Sequence, residues 1–115
     1  MSDFRSPKDF SVRTEQHDAA AVVVPTGELD IATAPALEHE LERAFGDGSD
    51  RVVLDLRELE FIDSSGLRSM LIARRMADSA GAQFALIAGD RALQRTLEIA
   101  GIHGIFDWMH AGDLA

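Results

Sequence analysis

The chain has 115 residues, 46% of them hydrophobic, with Lys+Arg 11 against Asp+Glu 20 and a formal net charge of -9. That size supports one hydrophobic core, and that hydrophobic share excludes general disorder. With Cys 0, disulfides, thiol catalysis and thiolate metal sites are excluded, and the acidic balance argues against nucleic acid and anionic membranes as partners.

Met1 to Asp9 reads as a flexible, charged leader, and residues 10–115 as a single domain. The leader has no apolar core and is not expected to be a signal peptide. No apolar run approaches membrane-spanning length, so a cytoplasmic protein is expected.

Phe10 to Glu15 alternates apolar or β-branched residues with polar ones, the pattern of an edge strand with one wet face. Gln16-His17-Asp18 is a turn, and Ala20 to Val24 is a more buried strand expected to halt at Pro25 and Gly27. The two strands are close enough to form an antiparallel hairpin. A helix follows, capped by Thr33, with Pro35 in its first turn and Leu37, Leu41, Ala44 and Phe45 at helical spacing. Gly46 and Gly48 stop it, and Arg51 to Leu56 is a short strand covered on both faces.

A second helix starts at Ser64-Ser65, where a hydroxyl beside free backbone N–H groups can cap the helix or face a partner. Leu67, Met70, Leu71 and Ala77 form its expected buried stripe; Ile72 and Met76 lie toward the wetter side. Gly81 ends this helix, and Phe84 to Ile87 is another buried strand. Asp90 caps a third helix carrying Ala92, Leu93, Leu97 and Ala100, stopped by Gly101. Ile105 and Phe106 read as a last short strand and Trp108 to Ala115 as a terminal turn or helix.

A hairpin followed by alternating helices and strands predicts an α/β fold: a mixed, mostly parallel central sheet, an antiparallel edge strand at its N-terminus and flanking helices. Functional loops belong at the carboxyl ends of the parallel strands. Gly27 to Asp30 and Asp63 to Gly66 are expected to converge there.

Several chemistries fail on spacing. A nucleophile elbow needs a small residue on each side of its serine, and Ile62-Asp-Ser-Ser-Gly66 has isoleucine in the first of those places. His17, His39, His103 and His110 are scattered, with no pair one helical turn apart to hold a metal. Gly46-Asp-Gly48 precedes a strand and not a helix, unlike a phosphate loop. A phosphate on either serine of Asp63-Ser64-Ser65-Gly66 adds about -1.5 to -2 charge, enough to change a docking surface without unfolding the core.

Thr26-Gly-Glu-Leu-Asp30, then Phe61-Ile-Asp-Ser-Ser-Gly66, then Gly101-Ile-His-Gly-Ile105, in that order and spacing, resemble the single-domain STAS proteins, above all the bacterial anti-sigma factor antagonists. The resemblance runs from about Phe10 to Phe106. It implies a regulatory protein with no catalytic activity and no cofactor of its own. Unphosphorylated, such a protein binds an anti-sigma factor that is also an ATP-dependent serine kinase, which frees a sigma factor. Phosphorylation weakens the complex, and a serine phosphatase resets it. By match to the motif Ser64 is the phosphoacceptor. Asp63, Ser65 and Gly66 shape its loop, and Gly27, Glu28 and Asp30 form the adjacent docking loop. The alternative within the family is a non-phosphorylated STAS interaction module of a lipid-transport or stress-signalling complex.

Overall fold

A computed structural model describes residues 10–114, and the leader expected over residues 1–9 lies outside them. Strands β1 (Ser11–His17) and β2 (Ala20–Leu29) form the antiparallel hairpin, turned at Asp18 with φ 51. Then come α1 (Ala34–Gly46), β3 (Arg51–Asp55), β4 (Leu59–Ile62), α2 (Ser64–Ala80), β5 (Gln83–Ile87), α3 (Arg91–Ile99) and β6 (Asp107–Met109). The 6-stranded sheet has the order β1-β2-β3-β5-β6, with β4 beside the far end of β2, and every pairing except β1–β2 is parallel. The expected mixed, mostly parallel sheet with an antiparallel N-terminal edge strand is therefore what forms.

The alternation of side chains along each strand gives the sheet two apolar faces. On the helical face Val23, Val52, Leu54 and Leu86 meet Leu37 and Leu41 of α1 and Met70 and Ala73 of α2, all fully buried. On the other face Val22, Val24, Val53 and Ile87 are covered by Met109 at the end of β6 and by Ala111 and Leu114 from the terminal turn.

Pro25 and Gly27 do not halt the second strand. Pro25 pairs with Val12 of β1, and it sits where β2 leaves its parallel neighbour β3, last paired at Val23, before meeting β4 at Gly27. A proline between two parallel partners removes no ladder donor that either needs. β4 carries no signal in the sequence, because a strand of four residues is too short for a periodic one.

Leu71, expected inside, is exposed: the buried stripe of α2 is Gly66, Ser69, Met70, Ala73 and Ala77. Those residues are mostly small and let the helix lie close against the sheet, which turns Leu71 to the flank. Similarly α3 buries only Leu93 and Leu97, while Ala92 and Ala100 are exposed. The last strand lies at Asp107–Met109 and not at Ile105-Phe106, because His103–Ile105 winds into a 3-10 turn held by the Trp108 indole N–H donating to the His103 carbonyl at 2.9 Å. Phe106 alone of the expected pair enters the core, edge-on to Phe84.

Candidate functional site: the rim where β2 and α2 meet

The turn between β3 and β4 fixes the site from below. Asp55, 3% exposed, accepts from the Arg57 backbone N–H at 3.0 Å and pairs with its guanidinium at 2.7 Å. The neighbouring Glu58 carboxylate accepts from the Arg13 guanidinium at 3.1 and 2.9 Å and from the Thr26 hydroxyl at 2.8 Å. Its carbonyl accepts the Gly27 N–H at 3.3 Å. One residue thus ties β1, β2 and the turn together at the point where β2 changes partners.

The Arg13 and Thr26 hydrogen bonds lower the Glu58 carboxyl from the ordinary 4.5 to about 2. A depressed folded value means that the interaction stabilises the fold above about pH 4.5 and is lost as pH falls toward 2. The difference in urea midpoint between wild type and Glu58→Gln should therefore shrink through that window. A difference that stays constant from neutral pH down would refute this role for Glu58.

From this turn β4 runs beside β2, with Phe61 opposite Glu28 and Ile62 opposite Leu29. The Asp63 N–H then donates to the Leu29 carbonyl at 3.1 Å. The two segments expected to converge do so, through the strand that the sequence did not announce.

At the start of α2 the cap is a carboxylate and not a serine hydroxyl. Asp63 has extended backbone and its Oδ1 accepts from Ser65 N at 2.8 Å and Gly66 N at 3.3 Å, while its carbonyl accepts from Leu67 N. An aspartate is as good an N-cap as serine and brings a charge that the helix dipole favours. Ser64 is left exposed, its hydroxyl without a partner among the described residues. Ser65 is half-buried and contributes its carbonyl, which lies 3.2 Å from Ser69 Oγ. The shorter Ser69 contact, to Glu38 Oε2 at 2.6 Å, links the fully buried hydroxyl on α2 to α1. Nothing in the sequence marked this serine, since it stands on the apolar stripe without a motif.

The neighbouring loop divides between structure and exposure. Gly27 is buried at φ 103, a conformation that side chains rarely adopt, at the register shift of β2. Glu28 is exposed. Asp30 turns inward: its Oδ1 accepts from Ala32 N at 2.9 Å and Thr33 N at 3.1 Å. Thr33, expected to cap α1, makes no side-chain cap; its hydroxyl donates to the Glu28 carbonyl at 2.8 Å and accepts from the Asp30 N–H at 2.9 Å. Gly66, in the first turn of α2, is buried against Leu29 and Ile62.

The rim also has exposed apolar members. Ile31 is 78% exposed beside Asp30, and Phe61 is 48% exposed on β4. On α2, Arg68 and Leu71 follow Ser64 at i+4 and i+7, continuing one exposed face. Ile72 and Met76 are half-buried and line a shallow groove with Phe45 between α1 and α2, away from the rim. Isolated bulky residues in a loop carry no periodicity, so only their exposure distinguishes Ile31 and Phe61 from core residues. Among the described residues no group of three or more His, Asp or Glu is placed to hold a metal, and no helix is long and apolar enough to cross a membrane.

A family model for the STAS domain matches residues 11–112. The chain is 29% identical over 101 residues, 88% of its length and 82% of the relative's, to the anti-sigma-F factor antagonist RsfB of Mycobacterium tuberculosis. Its fold superposes on the crystal structure of an anti-sigma factor antagonist from Mycobacterium paratuberculosis with a TM-score of 0.80, at 28% identity, covering 91% of this chain and 89% of that one. The unphosphorylated form of the anti-sigma factor antagonist SpoIIAA shares the fold at 17% identity, with a TM-score of 0.74 over 90% of this chain and 91% of its own.

Proposed function

Because the chain belongs to the STAS domain family, we propose that it is an anti-sigma factor antagonist of the phosphorylatable kind. Unphosphorylated, it docks an anti-sigma factor that is also a serine kinase, and so releases a sigma factor. The kinase brings ATP and transfers its γ-phosphate to Ser64; a serine phosphatase restores the binding form. The chain acts by binding and needs no cofactor of its own.

The observation that carries this reading is the division of labour at the start of α2. Asp63 caps the helix, so the Ser64 hydroxyl is exposed and free to be modified without loss of the cap. The names of the relatives at 28–29% identity support the antagonist role. Glu28, Ile31 and Phe61 supply the exposed contacts beside the acceptor, while Gly27, Asp30, Ser65 and Gly66 hold the shape of the loops from behind. Bulky apolar residues rimmed by acidic ones suit a partner with an apolar, basic-edged face.

The test is intact mass and peptide mapping after incubation with ATP and the cognate anti-sigma kinase. One phosphate on Ser64, absent from Ser64→Ala, is the expected result. No phosphate with an active kinase that binds the chain would favour the non-phosphorylated interaction module instead.

A further inference from the structure

Among the described residues three strands pair on one side only, and they are unlike; β4, beside β2, has 4 residues. β6 is an edge of 3 residues, short enough to offer little to pair with. β1 is 7 residues long, and among the described residues its backbone pairs only with β2, through an unbroken register from Ser11–Thr26 to His17–Ala20. It carries no proline, no lysine and no bulge, and its two charged side chains, Arg13 and Glu15, are of opposite sign.

Its sequence, Ser11-Val-Arg-Thr-Glu-Gln-His17, restricts how it could pair with a second copy of itself. In an antiparallel ladder, residues whose backbone groups point outward face one another, and so do those pointing inward. On identical strands, facing residues therefore share parity, and the two-fold axis must pass through a residue. An axis at Arg13 sets Arg13 against Arg13, and one at Glu15 sets Glu15 against Glu15. Like charges directly opposite are unfavourable. An axis at Thr14 uses the whole strand and sets Arg13 of each copy against Glu15 of the other, Val12 against Gln16 and Ser11 against His17. Arg13 spends three of its five N–H donors on Glu15 and Glu58 of its own chain, which leaves donors for the second copy.

We propose that β1 is a self-recognition edge, through which two copies of this chain pair antiparallel about Thr14, joined by reciprocal Arg13–Glu15 contacts. The axis is perpendicular to the sheet, so the helices of both copies lie on one side of a continuous sheet. The two β2 strands then run in opposite directions, and the Ser64 rims point to opposite ends of the pair. Each rim stays open, and one dimer presents two independent docking sites.

Sedimentation velocity across a concentration series tests this on the full chain. Wild type should pass from monomer to dimer as concentration rises. Glu15→Arg, which sets Arg against Arg in this register, should weaken association at least tenfold, and adding Arg13→Glu should restore it by reversing both members of each pair. Thr14→Lys places like charges on the axis while keeping a donor toward Glu40, which accepts from the Thr14 hydroxyl. It should also give monomer, with an unchanged circular dichroism spectrum. A wild-type chain that stays monomeric throughout overturns the proposal, as does a dimer whose affinity both Glu15→Arg and Thr14→Lys leave within twofold.

Discussion

Gly66→Val should destabilise the fold by about 3 kcal/mol, at the upper end of what overpacking a filled core costs. A Cβ built on Gly66 would stand 2.5 Å from Ile62 Cγ1, 2.8 Å from Leu29 Cγ and 2.9 Å from Leu29 Cδ2. Neither neighbour has room to withdraw: Ile62 is 5% and Leu29 0% exposed. Leu29 Cγ is moreover a branch point, so moving it moves the whole side chain. Alanine at Gly66 meets the same first contact but gains up to about 1 kcal/mol of helix propensity, so its net loss should be nearer 1 kcal/mol. Gly46→Ala in α1 is the control, since nothing lies within 4 Å of its Cβ position, and it should be neutral or slightly stabilising. Urea unfolding midpoints separate the three. Equal midpoints for wild type and Gly66→Val would show that β4 and the end of β2 can part from α2, contrary to the packing described above.

A phosphate on Ser64 should weaken binding to the anti-sigma partner by about 10²–10³-fold, or about 3–4 kcal/mol, within the range for leaving one charge unpaired in an interface. Two of the backbone donors that usually receive an anion at a helix start are already taken, because Asp63 holds the N–H groups of Ser65 and Gly66. The phosphate therefore adds its charge of about -1.5 to -2 next to a carboxylate that must stay in place to cap α2. Arg68, one turn further along the same exposed face, offers a solvated counter-charge, so the fold itself should survive. Titration calorimetry on the phosphorylated and unphosphorylated chains reads the affinity, and circular dichroism reads the fold. Ile31→Asp in the same assay should weaken binding without phosphate, because it puts a charge on the most exposed bulky apolar residue of the rim. Retained affinity after phosphorylation, or lost secondary structure, would each refute the surface mechanism.

The two predictions act on opposite sides of one junction. Gly66 is the buried side, where α2 is pressed against Leu29 and Ile62; Ser64 is the exposed side, two residues earlier. This arrangement lets a modification change what the surface presents while the core beneath it holds its geometry. The Glu58 cluster does similar work one turn lower, by fixing where β2 exchanges β3 for β4.

Much of this was written in the sequence by itself. The apolar strands, the helical stripes carrying Leu37, Leu41 and Met70, and the glycines at the ends of elements are local signals, because each follows from the repeat of a strand or helix or from a residue's own backbone preference. The Ser64-Ser65 junction was legible for the same reason. What tertiary structure decided was which groups are left over once partners are chosen. Asp63 takes the cap from the serines, Thr33 gives its hydroxyl to the loop before it, and Asp30 turns inward. Pro25 stays in a strand because neither parallel neighbour, β3 or β4, pairs with it there, and Leu71 is exposed because smaller neighbours bring α2 against the sheet. Each of these is a competition between several acceptors or several faces. Spacing identifies the competitors, and only the assembled chain, with its distances set, determines which of them is satisfied and which stays free to meet a partner.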